Sequence, residues 1–247
     1  MCGRMTLTRS GREIADFFSL AMGETEAGVG VEVGADVAEP DGSSLRARDD
    51  IAPSQQIATI VRLADGGRAM RWKRWGLVPF WSRDAAIGRR LFNARSETAD
   101  EKPAFRAAWR QRRCLIIADG FYEWTPPAQG HQPYHFRSRK GPLLGLAGLF
   151  EAWHEEGGEV VESCTVLTTE ANADLDGIHH RMPVILDPSR FDSWLDPTSD
   201  LALLKAMMGP APAGTLERRV VSHRVDSPRF GKAAQGELFR LEGERTK

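Results

Sequence analysis

Residues 56–75 read QIATIVRLADGGRAMRWKRW. Two runs of strand-forming residues flank Ala64-Asp-Gly-Gly67, and that arrangement predicts a β-hairpin. Outward from it, strand-like runs separated by turn residues continue through CLIIA (114–118), YHFRS (134–138), LLGLAGLF (143–150), VVESCTVLTT (160–169) and PVIL (183–186). Helical signals are fewer. Ser10-Gly-Arg-Glu13 has the form of a capping box with Ile14, Phe17 and Phe18 following at helical spacing, which predicts a helix over 11–20. Further helices are predicted over 103–112, 189–195 and 200–208. Strands dominating the middle with helices at the periphery imply an α+β chain built on a curved, barrel-like, mainly antiparallel sheet. Residues 23–44 (GETEAGVGVEVGADVAEPDGSS) are rich in glycine, acids and small side chains. They predict a flexible acidic surface insertion at about 21–50 rather than a linker, because little before it could fold alone.

At 247 residues, with 41% hydrophobic and 27% charged content, the chain suits one large domain or two small ones. No apolar run approaches the roughly 18–20 residues needed to cross a bilayer. The first residues lack the basic and apolar regions of a signal peptide, so no membrane association and a cytoplasmic location are expected. Three cysteines, Cys2, Cys114 and Cys164, are too scattered for a disulfide framework and show no zinc-like spacing. Cys114 and Cys164 lie in apolar runs that suit buried, inert thiols. With no GxGxxG and no P-loop, no metal, nucleotide or other cofactor is expected.

The net charge of −1 hides an asymmetry. Residues 68–113 carry thirteen Lys/Arg against four Asp/Glu, while residues 21–50 carry eight acids against two arginines. Basic side chains interleaved with Trp72, Trp75, Trp81 and Trp109 suit phosphate contact with base stacking. A solvated basic face packed on the acidic segment would explain the same pattern.

The chain opens MCGRMTL. Aminopeptidase trimming of Met1 is favoured by a small second residue, and it would leave an α-amine and a thiol together on Cys2. These groups titrate near pH 8 and about 8.5, so each has a reactive minority form at neutral pH. A 1,2-aminothiol attacks an aldehyde first through nitrogen and then through sulfur, closing a thiazolidine. Position 2 could also be arbitrary. Three further stretches place chemical side chains beside strand-like sequence: FNARSET (92–98) with Asn93 and Arg95, DGFYEW (119–124) with Glu123, and IHHRMP (178–183) with His179, His180 and Arg181.

Together and in order, MCGR, APSQ (52–55), RWGLVPFW (74–81), FNARSET, ADGFYEW, AGLF (147–150), TVLTTEAN (165–172) and IHHRMPVIL (178–186) resemble the SRAP (SOS-response-associated peptidase) family of abasic-site processing proteins. The resemblance covers most of the chain. It implies a single domain over 1–247 around a barrel-like sheet, and a covalent cross-link between Cys2 and abasic sites in single-stranded DNA, formed in the DNA damage response. Asn93, Glu123 and His179 would assist Cys2, with strand cleavage and removal of Met1 as accompanying activities. On chemical grounds His179 suits the proton transfer that opens the sugar. Glu123 among aromatics suits a raised pKa and proton relay, and Asn93 can orient the sugar or the amine. Arg4, Arg95 and Arg181 are candidate phosphate contacts, and Pro53, Phe80 and Trp81 a candidate apolar edge for neighbouring bases. DNA binding would make the protein nucleoid-associated. His180 and the pair Asp226-Ser227 depart from the family pattern, the latter standing where asparagine is usual. Two other readings use the same residues: a cysteine peptidase of the N-terminal-nucleophile kind, and a non-catalytic single-strand binder.

Overall fold

The 56–75 stretch is the predicted hairpin, and it supplies two staves of a barrel. The computed structural model describes residues 2–20, 22–25, 28–31, 45–155, 158 and 160–226. In chain order its strands begin with β1 (Met5–Leu7), β2 (Met22–Thr25), β3 (Gly28–Val31), β4 (Arg48–Ile51) and β5 (Gln56–Arg62). Next come β6 (Arg68–Trp75), β7 (Asn93–Arg95), β8 (Arg113–Ala118), β9 (Gly120–Trp124) and β10 (Pro133–Ser138). The last are β11 (Leu144–His154), β12 (Val160–Glu170), β13 (Arg181–Pro183), β14 (Ile185–Leu186) and β15 (Leu216–Val220). The α-helices among the described residues are α1 (Gly11–Phe18), α2 (Arg106–Gln111), α3 (Phe191–Leu195) and α4 (Leu201–Ala206).

Strands β12, β6, β5, β8 and β11 pair in that order, and β11 returns to β12, so the sheet closes into a five-stranded barrel. All its pairings are antiparallel except β12 with β6. Strand β12 runs eleven residues, longer than its neighbours need for closure. Its far half therefore holds β7 in parallel and β13 antiparallel, carrying both beyond the barrel rim. A second sheet, β15-β10-β9-β1-β4, is antiparallel throughout and lies against the barrel. The two sheets are joined by the chain itself: β8 passes through the single residue Asp119 into β9.

The mainly antiparallel, barrel-based α+β fold agrees with the sequence. Helix ends are where the prediction drifted. The capping box forms as read, with Ser10 and Glu13 exchanging backbone bonds, but α1 stops at Phe18 because Ser19 turns left-handed at φ 53°. α2 starts three residues later than predicted. α4 runs Leu201–Ala206, with Asp200 as its N-cap, its side chain accepting from the Leu203 N–H. The 189–195 helix divides into a 3-10 turn (Pro188–Arg190) and α3. Ring packing fixes α1 and α3 to the barrel: Phe18 stacks on Phe191 at 5.3 Å, and Gly145 of β11 leaves the room Phe191 fills.

The stretch read as an acidic insertion is described only in part. Its described parts include the β2–β3 ribbon, and its end belongs to β4, which pairs with β1 through Met5↔Ile51 and Leu7↔Arg48. Residues 21, 26, 27 and 32–44 lie outside the described residues. Among the described residues no helix is long and apolar enough to cross a membrane.

Candidate functional site

Strand β9 carries Glu123, and its two faces differ. Phe121 stacks on Phe136 at 5.2 Å within the main core, whereas Tyr122 packs with Val221 and Val225 in a separate cluster, with Trp124 beside it. Side chains alternate along a strand, so Glu123 shares the inner face with Phe121 and is only 3% exposed. Its aromatic neighbours in sequence thus point away from it. Burial, rather than Tyr122 and Trp124, pushes its carboxyl up to about 7, while the positive charge of the chain's amino terminus pulls it back.

Cys2 precedes β1 and is fully buried. Asn93 at the start of β7 donates from Nδ2 to the Cys2 carbonyl at 2.7 Å, a bond spanning 91 residues of sequence. Asn93 Oδ1 is buried with no hydrogen-bond partner among the described residues, which leaves an acceptor beside the same backbone. The Cys2 thiol is raised, first by burial and then by the Glu123 charge, and the amino terminus opposes both. That thiol is protonated at neutral pH.

His179 stands in the turn before β13. Its Nδ1 faces the Arg181 backbone, 2.9 Å from the N–H and 3.1 Å from the carbonyl oxygen. Burial lowers its pKa, and the amino-terminal charge lowers it further. His180 is exposed and stacks on His179 at 4.6 Å. The amino terminus therefore acts electrostatically on Cys2, Glu123 and His179 alike, and Asn93 is bonded to the residue next to it: the structure brings all four together.

Glu123, His179, His180, Arg95 and Arg181 line an open cleft of about 1030 Å³, whose other wall is the 124–131 segment with Trp124, Pro127 and His131. The cationic candidates separate. Arg95 is exposed at this cleft. Arg181 is buried, and its guanidinium is taken by Glu97 (2.5 and 2.9 Å) and the Thr168 carbonyl (2.5 Å). It ties the FNARSET turn to the histidine turn and so fixes Asn93 relative to His179. Arg4 is bonded to Asp50 at 2.7 Å and to the Val225 carbonyl. Pro53, Phe80 and Trp81 lie outside the cleft lining, with Phe80 and Trp81 59% and 49% exposed. Trp75 and Trp109, counted in the sequence with the stacking aromatics, are core residues: Trp75 donates to the Phe92 carbonyl and Trp109 packs on Trp194. A base cannot reach either ring.

A buried polar cluster under the site escaped sequence reasoning. Asp119 accepts from the Thr6 and Thr8 hydroxyls and from the Thr8 N–H (2.7 Å), and Thr6 Oγ1 lies 3.1 Å from His135 Nε2. It bolts β1, β9 and β10 together behind Cys2 and Glu123. Burial pushes His135 down to about 4, so it is neutral. Gly120 is required here, since a Cβ would meet His135 Nε2 at 2.2 Å and the Phe136 carbonyl at 2.6 Å. The glycine of ADGFYEW was the available signal. Among the described residues no group of three or more His, Cys, Asp or Glu is placed to hold a metal ion.

The raised Glu123 carboxyl has a consequence for stability. Between the ordinary 4.5 and about 7 the folded chain keeps a proton that the unfolded chain has released. Stability therefore falls as pH rises through that window. Glu123→Gln mimics the protonated form, so its melting temperature should exceed the parent's at pH 8, by up to about 3 kcal/mol of stability, and converge with it near pH 4. Thermal melts of both proteins across this range are the check, and a variant less stable at pH 8 contradicts it.

A closed barrel with a second antiparallel sheet against it, and Cys2, Asn93, Glu123 and His179 near one another, are the features to compare with known proteins. The family model for SOS response associated peptidase (SRAP) matches residues 1–228, and the chain belongs to that family. It is 35% identical over 231 residues to the abasic site processing protein YoqW of Bacillus subtilis, covering 93% of this chain and 96% of that protein. It is 34% identical over 186 residues to the abasic site processing protein HMCES of Gallus gallus, covering 66% of this chain and 55% of that one. Among solved structures, a Bacteroides thetaiotaomicron protein shares the fold with a TM-score of 0.78 at 23% identity, covering 95% of this chain and all of that one. A Bordetella bronchiseptica protein matches with a TM-score of 0.72 at 27% identity, over 90% of this chain and all of that one.

Proposed function

We propose that this protein processes abasic sites in single-stranded DNA by linking them covalently to Cys2, which shields the lesion. The observation that carries the proposal is the convergence of Cys2, Glu123 and His179 on the amino terminus, with Asn93 holding the Cys2 carbonyl. The similarity to abasic site processing proteins supports the substrate.

Removal of Met1 puts the α-amine on Cys2 itself, the residue whose carbonyl Asn93 Nδ2 holds. His179 moves the proton that opens the hemiacetal of the abasic sugar to its aldehyde. The amine adds to C1′, and Glu123, poised near neutrality, protonates the departing hydroxyl so that water leaves and an imine forms. The thiol then adds to the imine carbon, its proton passes to the nitrogen, and the thiazolidine closes with a net loss of one water. The raised thiol supports this amine-first order, because an amide-cleaving peptidase would need a readily ionised sulfur. The imine also acidifies the neighbouring sugar position, which accounts for accompanying strand cleavage. Arg95 at the cleft, with the exposed Arg83, Arg89, Arg90, Phe80 and Trp81, offers phosphate contact and stacking suited to an unpaired strand.

Intact-mass measurement after incubation with an oligonucleotide holding one abasic site tests this. The expected species is the Met1-less protein plus the oligonucleotide minus one water. Finding only the separate components overturns the proposal.

A further inference from the structure

The last described residues lie behind the cleft and take no part in the chemistry above. The 3-10 turn His223–Asp226 sends two bonds inward. Trp124 Nε1 donates to Asp226 Oδ1 at 2.6 Å, and Arg4 Nη2 donates to the Val225 carbonyl at 2.5 Å. His223 Nδ1 lies 2.8 Å from Asp226 Oδ2 and steadies the carboxylate from within the turn. Val225 is fully buried with Tyr122 and Val221, so the turn is anchored to the outer face of the second sheet.

The two gripped residues are telling. Arg4 is two positions from Cys2, and Trp124 is adjacent to Glu123. β1 pairs with β9 only at Met5 and Thr6, extended one step by the Tyr122 N–H donating to the Arg4 carbonyl. β1 itself is held on both sides, by β9 and β4 and by the Asp119 bonds to Thr6 and Thr8. The residues ahead of Met5 have one ladder bond to β9, and a chain end so held frays unless side chains tie it down. Arg4 does so twice, to Asp50 in β4 and to Val225. Because Val225 and Asp226 are consecutive, the segment with Cys2 and the strand with Glu123 cannot slide past each other without breaking one of these bonds.

We propose that the His223–Asp226 turn is a clasp that holds Cys2 in register with Glu123, with Asp226 and Arg4 as positioning residues for the cross-linking reaction. The proposal rests on Cys2 being the cross-linking residue. An aspartate or an asparagine at position 226 presents an acceptor to Trp124 Nε1 alike. The proposal also assigns Arg4 to the fold of the site rather than to DNA phosphate.

The test uses the full chain. Asp226→Ala should slow single-turnover cross-linking at saturating abasic single strand by about tenfold or more, as misplaced reacting groups do. Its affinity for a strand with a non-reactive abasic analogue should be unchanged, and Asp226→Asn should restore the rate. Arg4→Ala should show the same split between rate and affinity. A second arm needs no DNA: iodoacetamide labelling of Cys2, located by peptide mass, should be faster in Asp226→Ala, with Cys114 and Cys164 still protected. Loss of affinity with an unchanged saturated rate overturns the clasp, as does no change in either arm. Faster labelling at Cys114 and Cys164 as well shows general loosening and also overturns it. If the parent protein forms no adduct at all, the cross-linking assignment falls, and the labelling arm alone decides the clasp.

Discussion

Cys2→Ala protein is expected to form no heat-stable adduct with abasic single-stranded DNA. The substitution leaves the rest of the site in place, because Asn93 is bonded to the backbone carbonyl of residue 2 and not to its side chain. The variant retains an α-amine that can form an imine, but no sulfur to close the ring. An imine hydrolyses readily, so denaturing gels should show free DNA, and borohydride added during the reaction should trap a reduced adduct. Cys2→Ser should behave in the same way, since an oxazolidine is far more labile than a thiazolidine. A heat-stable, borohydride-independent adduct from Cys2→Ala would remove Cys2 from the mechanism.

His179→Ala should slow cross-linking by on the order of 10²–10⁴-fold without altering the mass of the product, the loss typical of general acid–base catalysis. His180→Ala should leave the rate nearly unchanged. The geometry separates them: His179 is half-buried, bonded through Nδ1 and under the amino-terminal charge, whereas His180 covers it from solvent. With burial lowering its pKa, His179 stays neutral through the physiological range and loses its base form only in acid. Glu123 ionises near 7, so the parent's rate should change across neutrality, and Glu123→Ala should flatten that change while shifting the balance between cross-link and cleavage. Single-turnover rates for these variants over pH 5–9 provide the measurement. A His180→Ala loss as large as that forecast for His179→Ala, with His179→Ala reacting normally, would reverse the assignment.

Much of this protein was legible in its sequence because the signals are local. Alternation of side chains and the Ala64–Gly67 turn mark the central hairpin, the Ser10–Glu13 box marks α1, and the ordered motifs identify the family and single out Cys2, Asn93, Glu123 and His179. What the sequence could not decide depends on contacts between distant residues. Whether Trp75 and Trp81 are buried or exposed follows from which side of the sheet rim each falls on, and the RWGLVPFW string reads alike for both. Arg4, Arg95 and Arg181 are chemically the same side chain; only folding pairs Arg181 with Glu97 and Arg4 with Asp50 and Val225, leaving Arg95 at the cleft. Glu123 shows the division most clearly. Its place between Tyr122 and Trp124 suggested an aromatic pocket, yet strand alternation sends those rings to the opposite face. Its carboxyl is raised by burial in the core it shares with Phe121 and held back by the amino-terminal charge. The sequence by itself determined which chemical groups the chain carries and in what order. The tertiary structure decided their solvation and partners, because desolvation and pairing arise between segments far apart in the chain, as in Asn93 with Cys2, Arg181 with Glu97 and Arg4 with Asp50.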